Sequence, residues 1–365
     1  MIEEYTIERI KSDVSRYFPF YEFKVGADGI VFFCNIREET LDYDFERLRE
    51  ILSDYGFVPI LRKEGGEYTL YVVKAKKRKE VSIWVNISLL LAAILTTTLT
   101  GSLLVCGKVN MWESGAISEM LKIKNLTSGF FQFSLPLLMI LGFHEMAHYY
   151  ASKLHGVRAS LPFFIPIPPI LNLNIGTFGA LISSKDPIPN RKALFDIGLS
   201  GPLAGFLVAI PISIYGILNS IPVPRAEVSG QMFLQPPPLF SLIIETMMNL
   251  PQDYTLLLHP TAFAGWVGLI VTAVNLFPIG QLDGGHIARA VLGDNQRYIG
   301  WFSVIFLLFT GWFFFAILIA LMVGIYHPPP LNDLTQVDRK RKLLFIVAMV
   351  VLALCFAPFP IYQSE

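Results

Sequence analysis

The feature that most constrains this chain is a recurring run of apolar residues long enough to cross a bilayer. Val81–Cys106, Phe130–Leu154, Ala193–Leu218, Leu256–Phe277, Ile299–Ile325 and the shorter Leu343–Phe359 follow one another, separated by polar stretches. A helix needs about 20 apolar residues to span the hydrocarbon core. In lipid, a spanning segment must satisfy its own backbone hydrogen bonds, which a helix does without partners. The runs therefore predict a multi-span α-helical membrane protein with about six transmembrane helices. Only 16% of the residues are charged, well below the roughly 25% of a soluble domain.

Charge gathers in the first 80 residues, where the pattern changes to helix, two strands, helix, two strands. Ile7, Ile10, Val14 and Tyr17 recur at helical spacing, as do Phe45, Leu48, Ile51, Leu52 and Tyr55. Tyr21–Val25 and Ile30–Ile36 flank the turn Ala27-Asp28-Gly29, and Phe57–Arg62 and Tyr68–Lys74 flank Gly65-Gly66. Residues 1–80 are expected to form a small α+β domain ending in a basic linker, with residues 81–365 as the membrane-embedded domain. Acidic and basic residues from Glu3 to Asp13 leave no apolar core for a secretion signal. The linker residues Lys74, Lys76, Lys77, Arg78 and Lys79 precede the first span, and the positive-inside rule places that domain in the cytoplasm.

With that orientation the second span runs inward, the third outward and the fourth inward. The ends of the second and fourth spans then meet at the cytoplasmic side. Arg339–Lys342 fit poorly, because a single crossing by the fifth segment would leave them outside. A hairpin turning at Gly311 is the alternative, and both readings stand. Between the second and third spans, the stretch with Pro162, Pro166, Pro168 and Pro169 is apolar yet cannot be regular helix. Irregular backbone at membrane depth persists only against protein or a water-filled cavity. Residues 160–185 are expected to be a re-entrant loop or hairpin beside the second span, with a surface loop on the headgroups as the rival.

Formal net charge is zero, which gives no reason to expect a nucleic-acid partner. Cys34, Cys106 and Cys355 are too scattered for a disulfide framework and read as buried apolar side chains. Oligomerisation is not indicated. Lipid is an obligatory neighbour.

His144-Glu145-Met146-Ala147-His148 fits H-E-x-x-H and falls near the end of the second span. Residues i and i+4 share a helix face, so the two imidazoles can hold one metal ion. The glutamate one position on can accept a proton from water. Ionisable side chains inside a membrane are expensive and usually functional. A catalytic zinc needs a third protein ligand and an open position. Asp283, the only acid between Asp253 and Asp294, ends the fourth apolar segment after the helix breakers Pro278 and Gly280. By itself Leu282-Asp283-Gly284-Gly285 also reads as an ordinary helix-ending turn.

Together, Gly142-Phe143-His144-Glu145-Met146-Ala147-His148 and Asn275-Leu276-Phe277-Pro278 leading to Leu282-Asp283-Gly284-Gly285 resemble the site-2 protease family of intramembrane zinc metalloproteases. The likeness covers most of residues 130–295. It implies one catalytic Zn2+ held by His144, His148 and Asp283, with Glu145 activating water and Asn275 contacting substrate or the oxyanion. Transmembrane proteins would be the substrates. Gly201-Pro202-Leu203-Ala204-Gly205 looks like the family's Gly-Pro helix motif, where small residues also permit close packing. Gly176-Thr177-Phe178-Gly179 resembles a hairpin edge, and Gly176 and Gly179 would contact a substrate strand. No PDZ-like insertion of the kind found in some bacterial relatives is visible, and the α+β module and the Pro-rich loop look similar to those of archaeal and plastid members. His155 and His286 read as interfacial histidines, His286 also as a neighbour of the metal. His259 and His327 fall at predicted external ends, and Glu245 is a lone acid in an apolar run. Broken helices and buried acids also suit a transporter or channel, and a catalytically silent membrane scaffold is a third reading. Metal binding by His144, His148 and Asp283 discriminates them.

Overall fold

The N-terminal periodicities fold as they predict. The computed structural model describes residues 3–75, 81–108, 111–169, 175–228, 232–322 and 324–363. Helix α1 (Glu4–Tyr17), strands β1 (Phe20–Val25) and β2 (Gly29–Cys34), helix α2 (Leu41–Asp54), and strands β3 (Phe57–Glu64) and β4 (Glu67–Lys74) follow in order. The strands form one antiparallel sheet in the order β1-β2-β4-β3. Alternation along β2, β3 and β4 turns Ile30, Phe32, Leu61, Leu70 and Val72 onto Ile10, Val14, Phe45, Leu48 and Leu52 of the helices. Most of the predicted basic linker, Lys76, Lys77, Arg78 and Lys79, lies outside the described residues.

The apolar runs then become helices. α3 (Ile83–Val105) is followed by a short α4 (Ala116–Met120) and by α5 (Ile123–Gly129). A π-helical turn, Phe130–Ser134, joins α5 to α6 (Leu135–Leu154), so residues 123–154 are one continuous helix. The Pro-rich stretch is a two-stranded hairpin, β5 (Phe163–Pro166) with β6 (Thr177–Leu181). Residues 170–174 of its loop lie outside the described residues. α7 (Arg191–Leu218) follows, then β7 (Ile221–Pro224), β8 (Met232–Leu234), α8 (Pro238–Met247), β9 (Tyr254–Leu257) and α9 (Pro260–Leu276). The chain ends with α10 (Asp283–Leu292), α11 (Gln296–Phe309), α12 (Phe313–Met322), α13 (Arg339–Cys355) and β10 (Ile361–Gln363). Among the described residues, three helices are long and apolar enough to cross a membrane: Ile83–Val105, Ile123–Leu154 and Arg191–Leu218. Of the shorter apolar helices, α8 and α9 pack with them, and α12 packs on α11. The main core lies between α6, α7, α9 and α13, around Ile140, Leu199, Leu269 and Val351.

The helix of the second apolar run starts earlier than predicted, at Ile123, and that of the sixth runs from Arg339 to Cys355 rather than from Leu343 to Phe359; two further differences change the path of the chain. The fourth helix starts at Pro260 rather than Leu256, because Tyr254–Leu257 pair with Ile221–Pro224 as strands. Pro260 suits the first helical turn, where a missing N–H leaves no bond unmade. The fifth segment is two helices. Gly311 takes φ +79, a left-handed conformation that costs glycine little. α11 and α12 pack on each other, and the Ile325 carbonyl beyond α12 accepts from Gln296 Nε2 at the start of α11 (3.0 Å). This is the hairpin alternative. It returns Arg339–Lys342 to the end of the bundle that carries the N-terminal region, where Arg341 forms a two-pronged ion pair with Asp196 of α7.

The hairpin also relocates His327. It is buried against His286, ring centroids 4.3 Å apart, at the same end of the bundle as α10 rather than at the far end. His259 caps α9, accepting from the Thr261 N–H (3.2 Å). Glu245 is exposed on α8. Cys34 and Cys355 are buried and Cys106 is half-buried, all three as free thiols.

Candidate metal centre

α6 brings His144 and His148 to one face, one turn apart, as the i, i+4 spacing requires. The third group comes from the break between α9 and α10. α9 stops at Leu276, Phe277-Pro278 turn the chain, and α10 starts at Asp283 with its carboxylate pointing back at the histidines. Gly284 and Gly285 make that turn possible, since a Cβ on either would overlap the carbonyl oxygens of Leu276 or Gly280.

The three donor atoms form a nearly equilateral triangle. His144 Nε2 lies 3.2 Å from Asp283 Oδ2 and 3.2 Å from His148 Nε2, and His148 Nε2 lies 3.3 Å from the same carboxylate oxygen. Ligand atoms placed tetrahedrally about 2.0–2.1 Å from a zinc ion stand about 3.3 Å apart. His144 and His148 are both buried, so electron-rich atoms are gathered where water cannot screen them. A cation relieves that clustering. Among the described residues, these three make the one group of three or more His, Cys, Asp or Glu side chains that fits a metal.

α7 fixes the ligands from behind. His148 Nδ1 lies 2.7 Å from the carbonyl oxygen of Ile197, which can only accept, so the proton sits on Nδ1 and the Nε2 lone pair faces the triangle. A Cβ on Gly201 would overlap Nε2 of His148, and one on Gly205 would lie 3.2 Å from Nδ1 of His144. A Cβ on Gly198 would come 3.0 Å from the carbonyl oxygen of Asp283. The Gly-Pro segment is therefore room for the two imidazoles, and Gly198 ahead of it is room for α10, which is more specific than generic helix packing.

Glu145 is 7% exposed and stands within electrostatic reach of His148 and Asp283. Asn275, in the last turn of α9, places its amide nitrogen 3.4 Å from His144 Nε2. The structure thus brings five of the predicted site residues together. Gly176 and Gly179 lie on or beside β6, which packs against α6 and α3. Gly176 (φ +78) presses on α3, where a Cβ would meet Thr97 Cα at 2.6 Å, and its carbonyl accepts from Thr96 Oγ1 (2.6 Å). Gly179 (φ +97) faces open space. His155 is tied to Asp196 (2.9 Å) and takes no part in the triangle. His286 donates from Nδ1 to Leu282 O (2.9 Å), three residues past the ligand. The Ile197 carbonyl is not legible in the sequence, because every residue carries one.

A family model described as "Peptidase family M50" matches residues 132–319, more than half of the chain. Similar curated proteins include the probable zinc metalloprotease EGY1, chloroplastic, of Arabidopsis thaliana, 28% identical across 91% of this chain and 66% of its own length. The protein of the same name from Oryza sativa subsp. japonica is 32% identical across 59% of this chain and 38% of its own length. The probable zinc metalloprotease EGY2, chloroplastic, of Oryza sativa subsp. indica is 24% identical across 98% of this chain and 67% of its length. The chain thus spans about two thirds or less of these relatives. No solved structure matches. The matched segment holds all three ligands, and His144, His148 and Asp283 form a zinc site of the type found in these enzymes. The chain belongs to peptidase family M50, the site-2 protease family of zinc metalloproteases.

Proposed function

We propose that this protein is an intramembrane zinc endopeptidase that hydrolyses peptide bonds in or near transmembrane segments of other membrane proteins. The observation that carries this reading is the buried His144–His148–Asp283 triangle inside a bundle of apolar helices. Zinc held there supplies Lewis acidity, polarising a carbonyl and acidifying water. Glu145, next to His144 on α6, accepts the proton of the attacking water and passes it to the leaving amine. The Asn275 amide donates a hydrogen bond to substrate or to the developing oxyanion. The site is catalytic at Glu145, metal-binding at His144, His148 and Asp283, and substrate-contacting at Asn275.

A helical substrate hides its carbonyls in its own hydrogen bonds and must unwind before attack. β6 lies against the helix that carries the motif, and among the described residues it pairs only with β5. Its other edge, with Gly179 open and Phe178 76% exposed, suits strand addition by an extended substrate. The N-terminal α+β region, residues 1–80, is a cytoplasmic domain, and residues 81–365 are the membrane domain. α3, α5–α6, α7, α9 and α13 cross the membrane, and the α11–α12 hairpin enters and returns. That refines six spans to five plus a hairpin, with Arg339–Lys342 inside, as the positive-inside rule prefers.

The test is cleavage of a transmembrane substrate by the purified protein, with zinc content measured in parallel. Glu145→Gln should keep its zinc and lose about 10²–10⁴-fold in kcat. Equal cleavage by the variant, or wild-type protein that holds no zinc, overturns the proposal.

A further inference from the structure

A strap from late in the chain joins the N-terminal region to the helices that hold the metal. On one side Leu331 is buried in the core of the α+β region, and its carbonyl accepts from the Leu61 N–H (2.9 Å) and from Arg62 Nη1 (2.8 Å). On the other side, the N–H groups of Leu331 and Asn332 donate to the carbonyls of Ile188 (2.9 Å) and Pro189 (2.8 Å). Those residues lead directly into Asn190, the N-cap of α7. Thr335 donates to the Asp42 carboxylate on α2, and Lys192 of α7 pairs with that carboxylate at 2.6 Å. The strap is therefore bonded to both parts at once.

Asp333 is its centre. Its Oδ1 accepts from Arg191 Nε, at the first residue of α7, at 2.8 Å, and its Oδ2 pairs with Arg289 of α10. The Arg289 side chain is 1% exposed and pairs also with Asp294 at 2.5 Å. A buried guanidinium deprived of a carboxylate is strongly unfavourable, so this cluster resists opening. Arg289 stands six residues from Asp283 on the same helix, about 9 Å along its axis. α7 carries Gly201 and the Ile197 carbonyl that orients His148. One carboxylate thus ties together the helix that carries Asp283 and the helix that orients His148 from behind.

We propose that Asp333 is a positioning residue for the metal centre, and that docking of the N-terminal region through the strap sets the affinity of that centre for its metal. Without Asp333 the ionic tie between α10 and α7 is lost and only their packing holds them in register, while metal–ligand distances tolerate only about 0.2 Å. The inference rests on the zinc assignment and not on proteolysis. It is therefore read by metal binding. Full-length protein in detergent, stripped of zinc, is titrated with Co2+ and followed by its visible d–d absorption. Asp333→Asn should raise the cobalt dissociation constant at least tenfold and alter the band shape at unchanged helical circular dichroism. Asp333→Glu should restore most of both. Arg191→Gln, which keeps the buried Arg289 paired, should weaken binding in the same direction, and it decides the matter if Asp333→Asn does not fold. A purely structural tie would lower stability and leave affinity and spectrum alone. Wild-type affinity and spectrum in folded Asp333→Asn, or in Arg191→Gln, overturn the proposal. Wild-type protein that binds cobalt yet cleaves nothing counts against the protease reading only.

Discussion

At Gly201 a single methyl group would overlap the imidazole of His148, while at Gly142, on α6 itself, a Cβ meets nothing within 4 Å. Gly201→Ala should therefore lose most of its zinc, and Gly142→Ala should retain it, with metal content measured on purified folded protein. Zinc bound normally by Gly201→Ala would mean that α7 does not brace the site. The i, i+4 pair His144 and His148 is legible in the sequence, since helix geometry alone puts both on one face. Asp283 is legible there only as a candidate, because a carboxylate after two helix breakers is also how ordinary turns end. Its 3.2 Å approach to His144 makes the difference.

Among the elements, the β5–β6 hairpin is held at its base by charge. Arg158, just after α6, forms a two-pronged ion pair with Asp186, just before α7. The Arg158 hydrogen bond holds the Asp186 carboxyl below the usual carboxylate range. A lowered pKa means the pair stabilises the fold above the unfolded value of about 3.9 and is lost as pH falls through the folded one. Arg158→Ala should be less stable than wild type near neutral pH, by no more than about 1 kcal/mol because the arginine is exposed. The gap should close below about pH 4. Unfolding in detergent across that range measures it, and a gap independent of pH assigns the effect elsewhere. That this apolar stretch is not helical is legible from its prolines, and that Phe163–Pro166 and Thr177–Leu181 pair as strands, rather than forming a re-entrant or surface loop, is decided by the structure. That Gly176 is pressed against Thr97 of α3 is not legible either, because nothing local encodes which helix lies behind a strand.

For the molecule as a whole, the α11–α12 hairpin puts the N-terminal region and the start of α13 at one end. In cysteine-free protein reconstituted in sealed vesicles, Ser12→Cys and Gln336→Cys, both at exposed positions, should react with an impermeant maleimide from the same side. Labelling from opposite sides would restore a single crossing by the fifth segment. The sequence by itself determined the apolar runs, the αββαββ order at the N-terminus and the pairing of histidines on one helix face. Each is a matter of residue type and short spacing, which neighbouring residues enforce. Only the tertiary structure decided that Asp283 completes the triangle, that the fifth run folds back at Gly311, and that Asp333 ties α7 to α10 under the N-terminal region. Those contacts join residues far apart in the chain, and their geometry follows from how whole helices pack, which no local pattern carries.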